Sequence, residues 1–72
     1  MTEDELLIKL GQRIKQLRDE KGMSQIALAV ELDYEKSNMS RLESGRVNPR
    51  IITLFNVAKA LDITLHDLVK VE

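Results

Sequence analysis

Apolar residues in this 72-residue chain recur every three or four positions, and no alternating pattern persists. That period constrains the fold more than any other feature, because it is the spacing of one buried helical face. Leu7, Leu10, Ile14 and Leu17 predict an amphipathic first helix. It ends near Gly22, a residue suited to the left-handed position after a helix. Ser24 is placed to cap a short second helix, "QIALAVEL", with Leu28 and Leu32 as its apolar stripe. "DYE" at 33–35 breaks the pattern, and a third helix runs from about Lys36 to Ser44, with Gly45 at its end. "RVNP" reads as a loop, since the residue before Pro49 is biased away from helix. A fourth helix starts near Arg50 or Ile51, with Ile51, Leu54, Phe55, Ala58 and Leu61 as its expected core residues. Asp62 and Ile63 form a link, and Thr64 caps a last helix containing Leu65, Leu68 and Val69. The fold class is therefore all-α, with five short helices in one domain over residues 1–72.

A chain this small buries only about 60% of the surface its unfolded form exposes. It has no cysteine, so neither a disulfide framework nor a thiolate metal site supports it. A dense core or a partner subunit must do so. "MTEDELLIKL" is acidic and has no long apolar run, so it resembles neither a secretory signal nor a transit peptide. No stretch reaches the roughly 20 apolar residues of a membrane span. A cytoplasmic protein without a membrane partner is expected.

The net charge of −1 hides alternating blocks. Residues 1–8 carry −3, residues 9–21 carry +3, residues 22–35 carry −3, residues 36–50 carry +3, and residues 51–72 carry −1. A charged partner responds to the local field of one face, so the total does not exclude a polyanion.

The third helix is the odd one. Only Met39 and Leu42 in it are apolar, and Lys36, Ser37, Asn38, Ser40 and Arg41 make up most of the rest. A helix packed for stability in a small domain normally has a broader apolar face. Joined to the second helix by three residues, it makes a helix-turn-helix spanning about 24–44. In such a pair the second helix enters the DNA major groove, where Arg and Lys donate to guanine and Ser pairs with several base edges. Arg46 and Arg50, in the following loop, are open at this point between ordinary surface charges and phosphate contacts. Arg13 stays open between solvent and a phosphate.

From "LGQRIKQLRDEKGMSQIALA" through "NMSRLESGRVNP" to "LFNVAKALDI", about residues 10 to 68, the chain resembles the Cro-repressor-type (XRE) helix-turn-helix domains. The likeness rests on Arg18, Gly22, Ser24-Gln25, Leu28-Ala29, Arg41, Glu43, Gly45 and Asn48-Pro49 taken together. It implies a phage-repressor-like fold. It also implies that Gln25 hydrogen-bonds a DNA phosphate and that Lys36, Ser37, Ser40 and Arg41 read bases. Asn38, Arg46, Asn48 and Arg50 would meet the sugar-phosphate backbone, and Arg18 with Glu43 would form a structural ion pair. The chain departs from the family pattern at Asp33, where Gly is usual, at Glu35, where Ser or Thr caps the third helix, and at Tyr34, a usually aliphatic position.

Catalysis finds no support: no phosphate-cradling Gly loop and no nucleophile–base pair is present, and His66, the sole histidine, lacks partners for a metal site. No cofactor, metal or small-molecule ligand is expected. The expected function is that of a sequence-specific double-stranded DNA-binding transcriptional regulator, a repressor acting as a homodimer on a pseudo-palindromic site. Residues 64–71 are the candidate dimerisation segment, with Leu65, Leu68, Val69 and Val71 as contacts. The alternative is a protein-binding module such as an antitoxin, for which exposed Leu6, Leu7 and Ile8 would be a surface.

Overall fold

The computed structural model describes residues 1–72 and contains α1 (Glu3–Glu20), α2 (Gln25–Glu31), α3 (Lys36–Glu43), α4 (Ile51–Ala60) and α5 (Leu65–Leu68). There is no strand. Local chemistry explains where the helices begin. The hydroxyls of Thr2, Ser24 and Thr64 accept hydrogen bonds from the backbone N–H groups of Glu5, Ala27 and Asp67, at 3.1, 3.0 and 3.1 Å. Each fills the N-cap role of satisfying an otherwise orphaned donor. Glu3, Asp4 and Glu5 in the first turn of α1 also complement its positive dipole end. α3 and α4 start at Glu35 and Arg50 with no side-chain cap, so the expected capping residue is absent at Glu35.

Four helices stop by one device. After α1, Gly22 N–H donates to Asp19 C=O and Met23 N–H to Arg18 C=O, both at 3.0 Å. The same paired bonds close α2 at Asp33 and Tyr34, α3 at Gly45 and Arg46, and α4 at Asp62 and Ile63. This is the Schellman arrangement, which needs a left-handed residue just past the helix. Gly22 and Gly45 supply it at φ 73° and 76°, whereas Asp33 and Asp62 adopt φ 52° and 58° with a Cβ present. The family's usual Gly is therefore replaced at position 33 by a residue that keeps the geometry under mild strain.

All five helices contribute to one core, made of Leu10, Ile14, Leu28, Ala29, Met39, Leu42, Leu54, Val57, Ala58, Leu61 and Leu68. Tyr34 is half-buried against it. α1 packs on α2, α3 and α5. Its approach to α3 is backbone to backbone: a Cβ at Gly11 would overlap the carbonyl oxygens of Leu42 and Glu43. No helix is long and apolar enough to cross a membrane.

Two sequence expectations need correction. Ile51 and Phe55 are not core residues; they are 60% and 45% exposed, and Val57 is fully buried instead. α4 carries two overlapping apolar stripes, and the one facing its neighbours is Leu54, Val57, Ala58 and Leu61. Leu68 is not available as a dimer contact, because its side chain is completely enclosed within the chain. Burying a leucine contributes roughly 1.5–3 kcal/mol, so it stays with the monomer core. Leu65 is half-buried against the same core, Val69 is 40% exposed, and Val71 is half-buried.

Candidate nucleic-acid interface

The two faces of α3 have opposite chemistry. Met39, Leu42 and Glu43 point inward and are buried. Lys36, Ser37, Ser40 and Arg41 are exposed, while Asn38 is half-buried beside them. A helix only eight residues long thus spends one stripe on the core and presents a polar stripe outward. None of Lys36, Ser37, Ser40 or Arg41 has its side chain in an intramolecular hydrogen bond or ion pair. Their donors are free for an external ligand.

The arginines separate into two groups. Arg18 is buried and engaged through all three guanidinium nitrogens. Its Nε donates to Glu43 Oε2 at 2.7 Å and its Nη2 to Glu43 Oε1 at 3.0 Å. Its Nη1 donates to the Met23 carbonyl at 2.8 Å and to Asp19 Oδ1 at 3.1 Å. The hydrogen bond to Glu43 raises the Arg18 pKa further, against a smaller opposing effect of burial, so the guanidinium stays charged. Arg13 is half-buried and donates through Nη2 to the Asp67 carbonyl at 2.9 Å, tying α1 to α5. It is a structural strap. Arg41, Arg46 and Arg50 are exposed and have no carboxylate partner. Asn48 is also exposed on the 46–50 loop.

Gln25 joins the two groups. It is the first residue of α2, half-buried, and its Nε2 donates to Glu43 Oε1 at 3.1 Å. Glu43 Oε1 therefore accepts from Arg18 and Gln25 together, across α1, α2 and α3. Each Gln amide nitrogen carries two hydrogens, so one remains for a second acceptor. The sequence offers no local signal for this link, nor for the Arg13–Asp67 bond, which spans 54 positions.

A family model described as helix-turn-helix, HTH_3, matches residues 14–68. The chain belongs to the HTH_3 (XRE) helix-turn-helix family. Its relatives are regulators of transcription. SinR of Bacillus subtilis, an HTH-type transcriptional regulator, is 43% identical over 60 residues, covering 82% of this chain and 54% of SinR. The immunity repressor of Bacillus phage phi105 is 38% identical over 60 residues, covering 83% of this chain and 42% of the repressor. The chain thus spans about half the length of these two relatives. It spans nearly all of another similar structure: the restriction-modification controller C.AhdI of Aeromonas hydrophila superposes with a TM-score of 0.83 at 37% identity, covering 86% of this chain and 94% of C.AhdI. A crystal structure of SinR in complex with DNA matches with a TM-score of 0.77 at 42% identity, covering 85% of this chain and 98% of that one.

Proposed function

We propose that this HTH_3 chain is a sequence-specific double-stranded DNA-binding regulator that acts in the cytoplasm, as a repressor, in the form of a homodimer on a pseudo-palindromic site. The observation that carries the reading is the outward stripe of α3, whose Lys36, Ser37, Ser40 and Arg41 side chains are exposed and unpaired. In this reading α3 lies in the major groove and those four residues read base edges. Gln25, Asn38, Arg46, Asn48 and Arg50 fix the register on phosphates, following the rule that phosphates position and bases specify. Arg18 and Glu43 hold the scaffold. The DNA complex of SinR and the repressor name of the phi105 relative support the assignment. No catalytic step is assigned to the chain.

Selection of bound sites from random duplexes tests it. The expected result is an inverted repeat whose half-sites lie about 34 Å apart, one helical turn. Recovery of no sequence preference, together with a stably copurified protein, would favour the protein-binding alternative.

A further inference from the structure

We infer that Glu35, at the head of α3, is a specificity-determining residue that accepts a hydrogen bond from a cytosine amine in the major groove; the inference rests on the reading of α3 as the groove helix. Glu35 is the N-cap residue of α3, with extended backbone at φ −73° and ψ 147°. Its side chain is exposed, makes no cap hydrogen bond and has no ion-pair partner. It immediately precedes Lys36, the first of the outward polar residues.

The other helix starts show what position 35 gives up. The hydroxyls of Thr2, Ser24 and Thr64 each satisfy a backbone N–H, and a hydroxyl at 35 would do the same for α3. The glutamate charge suits the positive end of the helix, but that gain is small at an exposed position. A local rule broken with so little structural return points to a functional site.

The chemistry of the groove names the target. A carboxylate only accepts hydrogen bonds. The first residues of a groove helix reach the base edges, with phosphates on either side that repel a negative charge. Glu35 therefore opposes binding on any sequence that offers it no donor. The major groove has two donors, the amines of cytosine N4 and adenine N6. Adenine's amine lies beside N7 and next to thymine O4, and both of these acceptors repel a carboxylate oxygen. Cytosine's amine has the C5–H on one side and guanine O6 alone on the other. Lys36 and Arg41 only donate and favour guanine. Glu35 supplies the opposite polarity on the same helix, and it works mainly by rejecting pairs that face it with acceptors.

Sites are selected from random duplexes by the full chain, by Glu35→Gln and by Glu35→Ala in parallel. At one position per half-site the wild type is expected to recover cytosine, Glu35→Gln adenine through its N6 and N7, and Glu35→Ala no preferred base. In titrations, replacing that C·G pair should weaken the wild type about tenfold or more, while Glu35→Ala should bind all four pairs within about twofold. N4-methylcytosine at that position keeps the base pair but puts a methyl where the groove-facing N–H was. It should cost the wild type the same factor and Glu35→Ala almost nothing. Glu35→Thr separates fold from recognition: its hydroxyl caps α3, so the melting temperature should rise while the cytosine preference is lost. Cytosine retained by Glu35→Ala, or one preference shared by all three selections, overturns the inference and leaves α3 in the groove. A marked fall in the melting temperature of Glu35→Ala makes Glu35 a residue of the fold and overturns it too. A wild type that recovers no site removes the groove reading itself, and the role of Glu35 with it.

Discussion

Arg18 and Glu43 meet through two parallel hydrogen bonds of 2.7 and 3.0 Å across 25 positions of sequence, with both side chains more than nine-tenths buried. Such a fork-to-fork pair fixes orientation as well as distance. Here it fastens α1 to α3, whose other face is the candidate DNA surface.

Removing one partner leaves the other charge buried and unpaired, which costs about 3–5 kcal/mol. A chain of 72 residues has only about 4–11 kcal/mol of total stability at the usual range per residue. Arg18→Ala or Glu43→Ala is therefore expected to leave much of the chain unfolded at 37 °C, as read by urea unfolding. Replacing both residues with apolar ones of similar size should recover most of the loss. The Arg18 pKa is raised in the folded state, so its contribution is complete below the unfolded value and fades only as pH rises through the folded one. Arg18 thus adds no slope to stability between roughly pH 6 and 9. A large single-mutant loss that changed across that interval would contradict this assignment.

Gln25→Ala removes one donor from Glu43 Oε1 but leaves the Arg18 pair in place. Stability should fall by no more than about 1 kcal/mol. DNA affinity should fall by about 1.5–3 kcal/mol, the usual worth of a hydrogen bond to a charged group. Paired melts and binding titrations check the split. A loss confined to stability would show that Gln25 serves the scaffold alone.

Arg41 and Arg46 are both exposed and unpaired, yet different defects are expected from them. Arg41→Ala should cost about 1–3 kcal/mol and relax preference at one base position. Arg46→Ala should weaken all sequences alike and reduce the salt slope by about one. Titrations of matched and mismatched duplexes at several salt concentrations separate the two. Unchanged specificity in Arg41→Ala would remove α3 from the groove.

The helix ends give a stability test independent of DNA. At Gly22 an added Cβ meets nothing within 4 Å, so Gly22→Ala should cost only the left-handed penalty of about 1–2 kcal/mol. At Gly45 an added Cβ would also sit 2.8 Å from the Ile8 Cα, so Gly45→Ala should cost distinctly more. Asp33→Gly relieves strain at φ 52° and should stabilise by up to about 1 kcal/mol. Melting temperatures should fall from Asp33→Gly through Gly22→Ala to Gly45→Ala; equal losses at Gly22 and Gly45 would refute the close approach of α1 to the end of α3.

The number of helices and most of their boundaries are legible in the sequence. Thr64, Ser24, Gly22 and Gly45 act on backbone groups a few residues away, so their effect needs no knowledge of the fold. The outward polarity of α3 is legible for the same reason: with only Met39 and Leu42 apolar, one face alone could turn inward. Tertiary structure decided the rest. It chose which of two apolar stripes α4 buries, leaving Ile51 and Phe55 outside, and it spent Leu68 on the core. It also divided five chemically identical arginines, engaging Arg13 and Arg18 and leaving Arg41, Arg46 and Arg50 free. Caps and turns are set by neighbours in sequence, whereas burial and pairing depend on groups brought from tens of residues away. Local pattern cannot carry that information.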